Sequence, residues 1–173
     1  MAEFQLGSIS TGTLRQQDLL SAFAQKLSSL ESTKFYAEVG PDSLELYHGS
    51  ELVQQAPAML NALDNTTSLA TGAVSNPYVA EYLDWLTDAL QEYCPPFIYF
   101  GTLEGDGADF GFWPDTESLG DALQDTALDW SDNAWDWDLG DYILDDHGVI
   151  VQVSDHGNVT VMDLDRNVIW ATV

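Results

Sequence analysis

Lys and Arg are almost missing from this chain. Arg15, Lys26, Lys34 and Arg166 are the only four among 173 residues. Between Lys34 and Arg166 lie 131 residues with no base and 26 Asp or Glu. The formal net charge is −25 at pH 7. This scarcity argues against direct binding to nucleic acid or to an anionic membrane surface, because both are negative. It also costs stability, since unpaired carboxylates repel one another in a compact state. A basic protein, a set of cations or a high-salt environment is the logical counterpart.

Cysteine is nearly absent too. The single Cys94 excludes an internal disulfide and fits a reducing compartment. No apolar run approaches the roughly 18 residues of a membrane span. The first ten residues, MAEFQLGSIS, have no basic n-region and no apolar h-region, so no signal peptide is expected. The expected location is the cytoplasm, and the sequons at Asn65 and Asn158 are read as incidental. There is no P-loop, dinucleotide fingerprint or nucleophile elbow.

Catalytic and metal chemistry finds little else to use. His147 and His156 fall in successive turns of an expected meander, at opposite ends of a strand spanning roughly 20 Å. They should not converge on zinc or on a Ser-His-Asp site. Asp163, Asp165 and Asn167 match the first alternating positions of an EF-hand loop. The glycine such a loop requires falls on Val168, and no closing Glu follows. No carboxylate pair is singled out for glycoside hydrolysis. The expectation is a protein that is not an enzyme, with no cofactor and no metal site.

Aromatic residues, in contrast, are plentiful. Six Trp, seven Tyr and seven Phe, within 45% hydrophobic residues, are enough to build a core and exclude a disordered acidic tail. The length suits one full-sized domain or at most two small ones. The pattern predicts a single α+β domain over residues 1–173. In it, an antiparallel sheet, made of a C-terminal meander and a hairpin, carries three or four packed helices.

Residues 13–30 have helical spacing, with Leu19, Phe23, Leu27 and Leu30 on one face and Thr13 as the N-cap. KFYAEV at 34–39 alternates and predicts a strand, and a second short strand is expected near Leu44 to Tyr47. Residues 50–63 predict a helix with an interruption at Pro57. Residues 64–76 predict an internal loop. Asn76 and Pro77 then open a helix running to about Tyr93, with Val79, Tyr82, Leu83, Leu86 and Leu90 as its buried stripe. Residues 97–103 and 108–113 predict a hairpin joined by Glu104-Gly105-Asp106-Gly107. Residues 115–130 fit either a helix or an acidic connection. Strands at about 148–153, 158–163 and 167–172 close the chain, with Asp-His-Gly turns at 146–148 and 155–157.

The acids are patterned. Glu81, Asp84, Asp88 and Glu92 recur at spacings of three and four and share one helix face. Glu117, Asp121, Asp125 and Asp129 lie four apart and, if helical, climb in steps of about 6 Å. That matches the scale of successive phosphates on a strand rising about 3.4 Å per nucleotide. The acidic segment 104–146 holds 14 acids and no base, including Asp132, Asp136 and Asp138. Ordinary solvated faces mix signs. Like charges four apart cost a few tenths of a kcal/mol, about 0.2–0.5 per pair. Trp130, Trp135 and Trp137 sit inside this run. Most should be core, but one left exposed, such as Trp135, would be an interface anchor that attracts Arg and Lys.

This combination of dense acids over residues 81–146, missing bases, an aromatic-rich core and modest size resembles phage-encoded DNA-mimic proteins, including anti-restriction and anti-CRISPR inhibitors. The ending VSDHGNVTVMDLDRNVIWATV is similar to endings of small phage proteins of unassigned function. DNA mimics share no single fold, so the resemblance implies a function and not an architecture. It implies an inhibitor whose carboxylates stand in for phosphates in the basic groove of a host nucleic-acid-binding protein, acting in the host cytoplasm. Two alternatives remain: a phage accessory or structural module that binds protein through a Trp-rich acidic surface, and halophilic adaptation.

Overall fold

The computed structural model describes residues 4–39, 49–67, 76–128, 140–154 and 156–172. Its secondary structure is mixed. Strand β1 (Gly7–Ser10) precedes helices α1 (Gln16–Val39), α2 (Glu51–Thr67) and α3 (Pro77–Gln91). Strands β2 (Ile98–Leu103) and β3 (Asp106–Pro114), helix α4 (Thr116–Leu128) and strands β4 (Gly140–Leu144), β5 (Val149–Val153), β6 (Val159–Asp163) and β7 (Val168–Ala171) follow. The described residues thus form an α+β fold with two antiparallel sheets, ordered β1-β3-β2 and β4-β5-β6-β7. The backbone gathers into two compact units. One is Ser8–Tyr93 with Phe100–Gly111, and the other is Met1–Gly7, Cys94–Tyr99 and Phe112–Val173.

In the first unit α1, α2 and α3 pack together. Leu20, Phe23 and Leu27 of α1, Ala56 and Leu63 of α2, and Tyr82, Leu86 and Leu90 of α3 are buried. Phe23 sets its ring edge-on to Phe100 at 5.1 Å and tilted against Phe110 at 5.4 Å, a geometry the aromatic quadrupole favours.

Several expectations are corrected here. The strand predicted at 34–39 is the last part of α1. Once a helix is nucleated, each further residue adds a hydrogen bond, so a six-residue stretch with modest β preference is carried along. Thr13 is not the cap. The amides of Asp18 and Leu19 both donate to the Arg15 carbonyl, so Arg15 stands at the helix boundary. Thr13 instead accepts from the Arg15 amide and donates to Asp18.

Pro57 lies inside α2 without ending it. The ring costs one backbone hydrogen bond, and burial of Ala56 and Leu63 on either side offsets that loss. The predicted loop 64–76 begins late, because α2 runs on to Thr67. Residues 68–75 of that loop, and the strand predicted near Leu44 to Tyr47, lie outside the described residues. The hairpin turn is shorter than expected. Asp106 and Gly107 already belong to β3, and Glu104-Gly105 alone turn the chain, with Gly105 at φ 85°. A left-handed φ of that kind suits glycine, which has no Cβ to clash.

The second unit is built on the meander. Tyr142, Val151, Val161 and Trp170 form one row across its four strands. Val151, Val161 and Trp170 are fully buried, and the Trp170 indole N–H donates to the Pro96 carbonyl at 2.8 Å. Three of these strands match the sequence expectation. The fourth, β4, was not foreseen, since GDYIL follows an acid-rich stretch with no strand signal of its own. The register shifts between Val161 and Met162, where β7 pairs through Trp170 and Val168. Ile169 is passed over, and its carbonyl accepts from the Phe4 amide at 2.7 Å. The Asp-His-Gly at 146–148 closes a single 3-10 turn, Asp145–His147, with Gly148 left-handed at φ 63°.

Candidate functional site

Helix α3 is the best-specified element of the chain. Asn76 accepts a hydrogen bond from the Tyr78 amide at 3.0 Å, and Pro77 occupies the first turn, where no partner for its nitrogen is needed. Gln16 of α1 fixes the same end from both sides. Its carbonyl oxygen accepts from the Asn76 amide at 2.9 Å, and its amide nitrogen donates to the Asn76 carbonyl at 3.2 Å. Val79, Tyr82, Leu86 and Leu90 are buried, while Leu83 is only half-buried. The Tyr82 hydroxyl donates to the Leu52 carbonyl of α2, which locks the helix in rotation. Burial pushes the pKa of that phenol up.

With that face fixed inward, the acids are fixed outward. Glu81, Asp84, Asp88 and Glu92 are all exposed. At about 100° per residue they fall within an arc of roughly 80° on the side away from the core. The helix contains no Lys or Arg, and no base lies in its last turn. Asp88 and Glu92 therefore meet the negative end of the helix dipole with no base in the helix itself to offset them. The pairs 81–84, 84–88 and 88–92 each add like-charge repulsion of about 0.2–0.5 kcal/mol. On stability grounds the arrangement is unfavourable.

The same face carries two aromatic side chains that the sequence reading did not single out. Trp85 is 49% exposed and Tyr78 is 76% exposed. The signal was present: 78, 81, 85, 88 and 92 recur at three and four. Trp130, Trp135 and Trp137 of the acidic run lie outside the described residues. Trp85 rests edge-on against Tyr82, with ring centroids 6.4 Å apart. At the far end of the helix, the Lys34 ammonium of α1 sits 5.9 Å from the centre of the Tyr93 ring.

The second expected ladder lies in the other unit, on α4. Residues 115–130 are helical in their greater part, so of the two readings the helix holds. Asp115 caps it: its carboxylate accepts from the Ser118 amide at 3.0 Å and the Ser118 hydroxyl at 2.7 Å. These bonds hold the Asp115 carboxyl below its ordinary pKa. Leu119 and Leu123 are buried, and Glu117 and Asp121 are exposed one turn apart. Asp125 belongs to the same helix. Asp129, Asp132, Trp135, Asp136 and Asp138 lie outside the described residues.

Other acids serve the backbone. Both oxygens of Asp163 are engaged by Asn167, whose amide N–H and side-chain NH₂ each donate at 2.8 Å. That pairing lowers the Asp163 pKa and closes the β6–β7 turn, where Arg166 takes a left-handed φ of 65°. The EF-hand-like spacing is thus turn chemistry. Among the described residues no three His, Cys, Asp or Glu come together as a metal-holding group. His147 and His156 lie at opposite ends of β5, and the His147 ring stands 4.8 Å from that of Phe97. Among the described residues, no helix is long and apolar enough to cross a membrane. The chain matches no family model, no curated protein and no solved structure.

Proposed function

We propose that this protein is an acidic inhibitor that offers carboxylates in place of nucleic-acid phosphates and occupies the basic groove of a host nucleic-acid-binding defence protein. The observation that carries this reading is the outer face of α3. Four carboxylates stand exposed there with no base in the helix, although mutual repulsion opposes all four and the helix dipole opposes Asp88 and Glu92. An arrangement that costs stability and serves no internal contact is accounted for by an external one. Successive carboxylates rise by about 4.5–6 Å along the helix, a spacing suited to Lys and Arg side chains that normally hold phosphates.

The test is competition against nucleic acid. A panel of purified host-defence nucleases is titrated with the protein in the presence of labelled duplex DNA, at 50 to 300 mM NaCl. Displacement of the DNA is expected, with affinity falling at least tenfold across that range, because the contacts are charge on charge. The double reversal Glu81→Lys/Asp88→Lys is expected to abolish displacement while the circular dichroism spectrum stays unchanged. A salt-independent affinity would count against phosphate mimicry.

A further inference from the structure

Phosphate mimicry needs carboxylates; it has no need of exposed aromatic rings among them. Yet Trp85 sits midway between Tyr78 and Glu92 on the outer face of α3, half exposed, with Glu81 one turn before it and Asp88 one turn after. A tryptophan in that position exposes a large apolar ring at a cost that solvated carboxylates do not carry. It is also held in place. The ring leans on Tyr82, which is fully buried and bonded through its hydroxyl to α2. A ring that already leans on a buried neighbour has less freedom to lose on binding.

We propose that this face of α3 docks an arginine-bearing segment of a protein partner, with a guanidinium stacked on the Trp85 indole and its N–H groups on the flanking carboxylates. The proposal rests on the acidic-inhibitor reading and deepens it, by specifying arginine over lysine and a single anchoring ring. The sign of the face selects a cationic partner. It also rejects a second copy of this chain, which has −25 of its own charge and four bases. Among cations, the guanidinium alone combines a flat, weakly hydrated face for the indole with a fork of donors for carboxylates. An ammonium is a compact, strongly hydrated point charge and gains less from the ring. From Tyr78 to Glu92 the face is about 21 Å long at 1.5 Å per residue, enough for a partner segment with several arginines one helical turn apart.

Two labelled helical peptides of equal length test this, one with four arginines and one with four lysines at every fourth position. Their affinities for the full chain are measured by fluorescence anisotropy at 50 and 300 mM NaCl. The arginine peptide is expected to bind about five- to tenfold more tightly, in line with a partly desolvated cation–π contact. Trp85→Ala should bring that ratio close to one, and Trp85→Leu, which keeps apolar bulk without a π face, should do the same. Tyr78→Ser should lower the ratio less. Glu117→Gln/Asp121→Asn on α4 should leave it unchanged. Equal affinities in the native chain, or a ratio that survives both Trp85 substitutions, overturns the arginine dock. The phosphate-mimic reading fails separately, if the arginine preference and its dependence on Trp85 hold while the protein does not displace duplex DNA from a basic nucleic-acid-binding protein.

Discussion

Asp88 and Asp163 are the same residue in two kinds of place. Asp163 closes the turn between β6 and β7, with both oxygens engaged by Asn167. Asp115 is of that kind as well, spending its carboxylate on the first turn of α4. Asp88 stands on the outer face of α3, beside Asp84 and Glu92, at the end of a helix whose dipole disfavours it. One kind of acid holds the backbone in shape; the other strains the helix that carries it. A net charge of −25 adds them together and hides the difference. Under the proposed function, substitution should cost stability at the first kind and binding at the second.

The largest effect expected is on binding. Glu81→Lys/Asp88→Lys should weaken affinity for a basic target about 100-fold or more, since both charges turn from attractive to repulsive. The same double reversal on α4, Glu117→Lys/Asp121→Lys, measured in parallel, shows whether the second ladder contributes. An equal loss from both would assign α4 a binding role of its own.

Next is the cap. Asp115→Ala should cost about 1 kcal/mol, typical for losing an N-cap side chain, and lower Tm by a few degrees without changing affinity. Its pH dependence has a definite sign. The folded-state pKa of Asp115 lies below its ordinary value of 3.8, so its stabilisation is present above that value. It is lost as pH falls through the lower folded pKa. Asp163 acts in the same direction. Thermal unfolding of Asp115→Asn between pH 5 and 2 should show a shallower acid loss than the native chain.

The smallest effect is opposite in sign. Asp88→Asn or Glu92→Gln should raise stability by about 0.3–0.5 kcal/mol, by relieving repulsion along α3 and at its C-terminal end. Either change should weaken binding. A presented acid that proves stabilising instead would remove the distinction between the two classes. Added NaCl should likewise raise Tm modestly as repulsion is screened. A fold that forms only in molar salt would point to halophilic adaptation.

Much of α3 was legible because independent local signals agreed. Asn76 and Pro77 mark its start, apolar residues repeat at helical spacing, and Cys94-Pro95-Pro96 marks the region beyond its end. The meander strands β5, β6 and β7 were legible from alternation and turn residues. KFYAEV was misread because a short segment carries too little propensity to stop a helix already growing into it. Strand β4 was missed for the converse reason: GDYIL is held by its pairing with β5, from Gly140 opposite Val153 to Leu144 opposite Val149.

The sequence by itself determined the charge, the exclusion of bases and the spacing of acids on α3, because composition and helical period are properties of the chain alone. Tertiary structure decided which acids are presented and which are consumed in caps and turns. That choice depends on which donors the folded backbone brings to each carboxylate. It also decided that Trp85 remains half exposed. Burial of Tyr82 and Leu86 fixed the rotation of α3 and left the neighbouring tryptophan turned outward among carboxylates.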